Sequence, residues 1–573
     1  MYHPSRYTVA HIALFRRESV PIRKNWEVGN LMNGVIVVPP PKNEPVLSYA
    51  PGSPEREALR RSLKELRSLH LEIPLVIGGK EIRTGRLGEI RIPHEHGTVL
   101  ATYHKAGPEE LRQAVEASRA AWETWSRTPW HHRASVFLRA AELISGPYRM
   151  TLNAATMLGQ SKTAHQAEIE AACELSDFLR FGVHNMRQIY SVQPGHQGEG
   201  AWNRLDYRPL EGFVFAISPF NFTAIGGNLS ASPALMGNTI LWKPASTGVF
   251  SSHFVMRVFL EAGLPDGVIN FLPGDSRDME LLLTHPDLAG VHFTGSTGAF
   301  RRIWKTVAAN IETYKNYPRL VGETGGKDFA MVHASADPQV VATALVRGAF
   351  EYQGQKCSAT SRAYIPKSLW GSIEEELHSQ LSRVKVGDIE DFGNFMGAVI
   401  DKTSYETLRS SIVYAKNHQD ATIVYGGTCD DSRGFFVEPT VILTTDPKFR
   451  LMEEELFGPV LTVYLYDDEK YEETLRLCDA TSPYGLTGSI FATDRQAILA
   501  AEDLLRHAAG NFYINDKTTG AMVGDQPFGG ARASGTDDKV GSSYNLLRWT
   551  SLRTIKELLL PPRDFTYPFL QSE

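Results

Sequence analysis

Cysteine is scarce in this chain. Four occur in 573 residues, Cys173, Cys357, Cys429 and Cys478, and no two form a C-x-x-C pair. That excludes a disulfide framework and a paired-cysteine zinc site, so no metal is expected, and it fits a reducing compartment. Long apolar runs are missing as well: none reaches the roughly 18 to 20 residues that span a bilayer, so no membrane partner is expected. Excess positive charge is absent too. The net charge is −6 and there is no dense basic stripe, which argues against nucleic acid as the main partner. What remains is a chain with 42% hydrophobic and 22% charged residues, enough for two or three cores, whose expected partner is a small molecule.

Residues 1–54 read as an N-terminal extension. The first 24 are Arg-rich with Glu18 as their one acid, the bias of a mitochondrial transit peptide, with a disordered basic N-terminus as the plainer alternative. The expected location is the mitochondrial matrix, or the cytoplasm if the source is bacterial. The stretch VPPPKNEPVLSYAPGSP (38–54) is dense in Pro and turn formers and reads as a linker. Helical periodicity follows in EREALRRSLKELRSL, PEELRQAVEASRAAWETW and HQAEIEAACELSDFLRF.

From Glu211 the texture changes. Short apolar strands (GFVFAIS, NTILWKP, GVINFLP, AGVHFTG) alternate with helices (FSSHFVMRVFLEAG, RDMELLLTH, TGAFRRIWKTVAANI), the pattern of an α/β fold with a parallel, doubly wound sheet. A second α/β block, 329–535, has strand candidates FAMVHAS, RAYIPK, VLTVYLY and GSIFAT. Its entry segment, LVGETGGKDF, reads as a glycine-rich crossover passing close to a ligand.

Cys357 lies in FEYQGQKCSATSR beside Lys356, a cation expected to favour thiolate over thiol. Buried filler is the plain reading of any cysteine and stays the reading for the other three. Glu323 beside the glycine pair of GETGGK is by itself a loop acid, and Asn221 of SPFNF, just beyond the strand GFVFAIS, a turn residue. Together, however, a thiol, a carboxylate and a carboxamide are the groups that acyl chemistry at an aldehyde needs. The thiolate adds to the carbonyl, the amide and a backbone N–H hold the oxyanion, and the carboxylate activates water.

The motifs ISPFNF, WKPAS, FTGST, GETGGK, GQKCS and EELFGPV occur in the order and spacing of the aldehyde dehydrogenase superfamily, which the chain resembles over about residues 55–560. The resemblance implies a Rossmann-like NAD-binding domain (55–190 and 212–328) and an α/β catalytic domain (329–535). It also implies a small oligomerisation β-flap (191–211 and 536–560), a C-terminal tail (561–573) and assembly into a homodimer or higher homo-oligomer. It makes Cys357 the nucleophile, Glu323 the base, and Asn221 with the Cys357 N–H the oxyanion hole. Ser218, Lys243, Gly295, Ser296, Glu455 and Phe457 become contacts to NAD. No G-x-G-x-x-G fingerprint is present there, and Ser296 could equally be an ordinary helix cap. Ser246, three residues after Lys243, stands where many NAD-specific members carry an acid, which leaves some NADP use open.

The stretches FYINDKTTGAMVGDQPFGGARASGTDDK, NEPVLSYAPGSPER, SPFNFTAIGGN and AEIEAACELSDFLRFG resemble the subfamily that oxidises L-glutamate γ-semialdehyde, the open form of 1-pyrroline-5-carboxylate, in proline catabolism. Such a pocket must bind a zwitterion. By that resemblance Gly520, Ala521 and Ser358 receive the α-carboxylate, Glu174 sits near the amine, and Phe222 and Phe528 wall the aliphatic chain. The alternatives are a dehydrogenase for another semialdehyde, such as succinic semialdehyde, and a non-catalytic binding protein on the same fold.

Overall fold

Apolar residues on both faces of a strand require cover on both sides. In Phe213–Ile217, side chains alternate between two cores: Phe213 and Phe215 join one with Leu241, Val291 and Phe293, while Val214 and Ala216 join another with Ile240 and Trp242. The computed structural model, which describes residues 34–572, builds a seven-stranded sheet on this pattern. Its strands are β1 (Leu75–Ile77), β2 (Lys80–Ile82), β3 (Phe213–Ile217), β4 (Thr239–Lys243), β5 (Ile269–Phe271), β6 (Leu288–Thr294) and β7 (Arg319–Glu323). They lie in the order β7-β6-β3-β4-β5-β1-β2. β3 to β7 are parallel, and β1 runs antiparallel to both its neighbours.

A second seven-stranded sheet contains β8 (Asp328–Val332), β9 (Thr360–Pro366), β10 (Ala421–Tyr425), β11 (Thr440–Thr444), β12 (Val460–Tyr466), β13 (Thr487–Phe491) and β14 (Asn511–Ile514), ordered β10-β11-β12-β9-β8-β13-β14. All pairs are parallel except β10 with β11. The two sheets are joined by Thr324–Lys327 alone between β7 and β8, so the glycine-rich crossover is the sheet-to-sheet link. β10, β11 and β14 were not among the strand candidates. RDMELLLTH forms a helix only over Glu280–Leu283.

HQAEIEAACELSDFLRF reads as one helix, but the structure divides it: α over Ala164–Ala167, π over Glu168–Glu174, then the helix Leu175–Ser191. A π turn inserts one extra residue and leaves the apolar pattern on either side intact, so periodicity does not reveal it. Here it points two buried carboxylates inward, Glu168 and Glu170, toward different partners.

Segment 38–54 is strapped to the body rather than hanging between parts. The Leu47 N–H donates to Glu168 Oε1 at 2.8 Å, and the Tyr49 hydroxyl to Glu168 Oε2 at 2.7 Å. Ser53 then caps the helix Pro54–Ser68, which has proline at its start. Strands Ala201–Pro209 and Thr550–Leu558 pair antiparallel over nine residues each and form a separate two-stranded ribbon. Among the described residues no helix is long and apolar enough to cross a membrane. The basic segment 1–24 lies outside the described residues.

Candidate active site

Strand register decides what shares an edge. Ile217 is level with Lys243 and with Phe293, and Thr294 with Glu323. The carboxyl ends of β3, β4, β6 and β7 therefore bring Ser218, Lys243, Gly295 and Glu323 to one sheet edge, where ligands of open α/β sheets bind. The second sheet meets that edge with the amino ends of its strands: Asp328 is level with Thr360, just after Cys357 and Ser358. The Thr324 N–H donates to Ser534 O at 2.9 Å, and Glu323 bridges Gly535.

The crossover tolerates no side chains. A Cβ on Gly325 would lie 2.0 Å from Glu455 Oε2, and one on Gly326 would lie 2.4 Å from both Asp328 Oδ2 and the Cys357 carbonyl oxygen. The glycine pair thus lets two carboxyl groups and the Cys357 backbone crowd onto one point.

The loop before Cys357 is held by strain and by amides. Tyr352 and Gln353 both take φ of 53°, left-handed for side-chain-bearing residues, at a cost of roughly 1–2 kcal/mol each. Gln353 Nε2 donates to Ser161 O at 2.9 Å and to Ala398 O at 2.8 Å, and Gln355 Oε1 accepts from the Ile400 N–H at 2.9 Å. Buried Asn221 donates one amide hydrogen to Gln355 O at 3.0 Å, which fixes the amide plane two residues before Cys357.

The electrostatics depart from the sequence reading in one respect. Lys356 does not activate the thiol: its ammonium pairs with Glu351 at 3.3 Å. Burial, followed by the Asp328, Glu323 and Glu455 carboxyl groups, pushes the Cys357 thiol well above its ordinary value. Adjacency in sequence misled because successive side chains of an irregular loop diverge. Burial likewise raises Glu323 well above the carboxylate range. Its Oε2 accepts weakly from the Gly530 N–H at 3.3 Å, while its Oε1 is buried without a partner among the described residues. Asp328, bonded through Oδ1 to the Thr487 N–H and hydroxyl at 2.7 and 2.9 Å, is pushed up by burial to about 8, and its Oδ2 has no partner among the described residues. Sequence reasoning missed Asp328, although GGKD announces a buried acid beside the glycines.

Along the first sheet's edge, Lys243 is buried, held down to about 8 by desolvation, and donates to Pro244 O at 3.3 Å. Ser218 is buried, and its hydroxyl accepts from the Trp242 indole N–H at 3.0 Å. Ser296 caps the helix Thr297–Ala309 by accepting from the Ala299 N–H at 3.3 Å. The Gly295 N–H is bonded to Glu323 O at 3.1 Å. Glu455 accepts from the Gly326 N–H at 2.9 Å and is raised by burial to about 7. Phe457 takes a left-handed φ of 55° and meets Phe220 edge-on.

Around Lys162 lies a buried charge cluster of which the sequence revealed only Glu174. Lys162 donates to Glu170 Oε1 at 2.7 Å, and its ammonium stands 4.2 Å from the centre of the Phe222 ring and 4.4 Å from that of Tyr352. Glu170 in turn accepts from the Thr223 and Ala224 N–H groups at 3.2 and 2.9 Å, at the start of the helix Thr223–Leu235. The acid's charge complements that helix end and so fixes the turn carrying Asn221. Glu174 has no ion-pair partner among the described residues, and burial, then the charge of Glu170, pushes it up to about 8.

The loop bearing Gly520 and Ala521 is tied to the segment after Cys357, because the Thr518 hydroxyl donates to the Ser358 carbonyl at 2.6 Å. Gly520 has φ of 94°, and a Cβ there would sit 2.8 Å from Lys517 Nζ, a cation that the sequence reading passed over. Phe528 is half-buried and exchanges backbone bonds with Val540.

Residues 84–555 match the model of the aldehyde dehydrogenase family. The chain belongs to this family. It is 55% identical to a mitochondrial delta-1-pyrroline-5-carboxylate dehydrogenase of Dictyostelium discoideum, over 93% of this chain and 96% of the relative. The human protein of that name is 49% identical, over 92% and 94%. A crystal structure of the Mycobacterium tuberculosis delta-pyrroline-5-carboxylate dehydrogenase bound with NAD superposes with a TM-score of 0.91 at 51% identity, covering 94% of this chain and all of that one. The α/β aldehyde dehydrogenase fold expected from the motifs is thus the fold found.

Proposed function

We propose that this aldehyde dehydrogenase oxidises L-glutamate γ-semialdehyde, formed by hydrolysis of 1-pyrroline-5-carboxylate, to L-glutamate with NAD in proline catabolism. The observation that carries the reading is the meeting of a thiol, an unpartnered carboxylate oxygen and a tethered carboxamide between two sheet edges, Cys357, Glu323 and Asn221. The names of the relatives support it.

The chemistry follows from the environments. The raised thiol gives its proton up to solvent as the sulfur adds, and Glu323, whose affinity for protons burial has raised, serves the water of the second half-reaction. The sulfur adds to the aldehyde carbon to give a hemithioacetal. The second hydrogen of the Asn221 amide and the Cys357 N–H hold the oxyanion. NAD supplies the acceptor for the hydride that leaves this carbon, giving a thioester on Cys357. Glu323 then takes a proton from water, whose oxygen enters the carboxylate of glutamate as the thiol departs.

The donor set along the edge fits a dinucleotide: a buried ammonium with hydrogens to spare at Lys243, and Glu455 with an oxygen beyond its Gly326 bond. Lys243 and Glu455 would hold the two ribose hydroxyl systems, with the Ser218, Gly295, Ser296 and Phe457 segments around them. Ser246 is exposed and uncharged, so NADP is not repelled there. At the other end the substrate ammonium meets Glu174. Its carboxylate meets Ser358 and the N–H groups of Gly520 and Ala521, and Phe222 and Phe528 flank the chain. The ribbon of Ala201–Pro209 with Thr550–Leu558, which leaves Trp202 and Leu552 half-exposed, is the proposed homodimer element. A matrix location accords with the mitochondrial relatives. NADH formation measured with 1-pyrroline-5-carboxylate and with succinic semialdehyde tests the reading: it predicts a preference of about 100-fold or more for the former, and equal efficiency would contradict it.

A further inference from the structure

The NEP strap reaches the substrate end of the site. Asn43 Nδ2 spends its two hydrogens on two different elements: one bonds Asp177 Oδ2 at 3.0 Å, the other the Val523 carbonyl at 2.8 Å. Asp177 lies in the first turn of the helix Leu175–Ser191, three residues after Glu174. Val523 lies two residues after Ala521. The Glu44 N–H takes the other oxygen of Asp177 at 2.8 Å, so both carboxylate oxygens face the strap.

The helix and the loop also pack directly. A Cβ on Gly524 would fall 2.2 Å from the Phe181 ring, and one on Gly541 would fall 3.3 Å from Phe178 and 3.7 Å from Val523. Asp177 is buried and raised to about 6 by that burial, and the two strap donors stabilise its charged form. Farther along, Leu47 and Tyr49 fasten the strap to Glu168, within the π turn that ends at Glu174.

We propose that Asn43 is a positioning residue for the amino-acid end of the substrate, locking the helix that presents Glu174 to the loop that presents Gly520 and Ala521. The inference rests on the head-group assignment made above. A carboxamide is the side chain of that size with two N–H donors on one atom, which this junction requires. Aspartate there would lose both donors and set a carboxylate against Asp177. Asn43 touches none of the reacting groups, so its effect falls on the distance between ammonium and carboxylate subsites and not on the thiol.

The test uses the full chain with Asn43→Ala and Asn43→Asp, and Asn43→Ser as a milder variant that keeps one donor should the others fail to fold. Steady-state kinetics are measured with glutamate semialdehyde and with pentanal, which has the same chain length and no head group, together with inhibition by L-glutamate. The semialdehyde KM and the L-glutamate inhibition constant should rise about tenfold in the first two variants and less in the third. The kcat for the semialdehyde and both constants for pentanal should stay within about twofold. Variants that lose efficiency equally on both aldehydes, or keep the wild-type discrimination, overturn the inference while leaving the substrate assignment intact. A wild-type enzyme that treats both aldehydes alike overturns the substrate assignment and this inference with it.

Discussion

The two ends of the proposed substrate channel handle buried charge in opposite ways. Around Cys357 the acids are left short of partners: Glu323 Oε1 and Asp328 Oδ2 make no hydrogen bond among the described residues, and Glu323, Asp328 and Glu455 are all raised by burial. Around Phe222 the charges are consumed internally, Lys162 by Glu170, and Glu174 is an acid without an ion-pair partner among the described residues. A raised acid close enough to the thiol to lift its proton affinity too can take a proton from water at that point, and so suits chemistry. A neutralised cluster with one acid to spare is a rigid socket for a cation, and so suits recognition. The channel separates the two tasks by how completely each end satisfies its own polar groups.

Substitutions that touch one end should therefore leave the other's parameters standing. The largest effect is expected from Cys357→Ser: turnover with every aldehyde falls by about 10⁴-fold or more, while NAD affinity, read by quenching of protein fluorescence, is unchanged. Activity near wild type in this variant would break the division at its root. Next, Asn221→Ala should lower kcat by about 100- to 1,000-fold on semialdehyde and pentanal alike, because the oxyanion is common to both.

A smaller and selective effect is expected from Glu174→Gln. The KM for the semialdehyde should rise about tenfold, with pentanal kinetics unmoved. The pH dependence has a definite sign. Below about 8 Glu174 holds its proton, whereas a bound ammonium group favours the ionised form. L-glutamate inhibition should therefore tighten as pH rises from 6 to 8, and the Gln variant should flatten that slope. An unchanged slope would remove Glu174 from the socket. The smallest effect is at the cofactor edge: Ser246→Glu should cut kcat/KM for NADP by about fivefold through repulsion of its 2'-phosphate, with NAD kinetics near wild type.

What was legible in the sequence follows the same division. The fold and the meeting of Cys357 with Glu323 could be read because their constraints are local: strand alternation in GFVFAIS, the glycines forced by crowding in GETGGK, the cysteine after GQK. Lys162, Glu170 and Asp328 were not legible, since a buried charge is recognised by its partner, and these partners lie on other elements. Asn43 belongs to a stretch whose prolines suggested a linker. An extended strap and a free linker share that composition, and the difference lies in Asp177 and Val523, 134 and 480 residues away. Lys356 failed in the opposite sense, because sequence adjacency to Cys357 did not become spatial facing.

The central claim is that the raised thiol of Cys357 takes the acyl group of an amino-acid semialdehyde and that Glu323 releases it. The most direct measurement is mass spectrometry of the Glu323→Gln variant, quenched in acid after mixing with NAD and 1-pyrroline-5-carboxylate. About one equivalent of NADH per chain is expected, with a glutamyl thioester on the peptide bearing Cys357. NADH formed with Cys357 unmodified, or the acyl group on another residue, would contradict it.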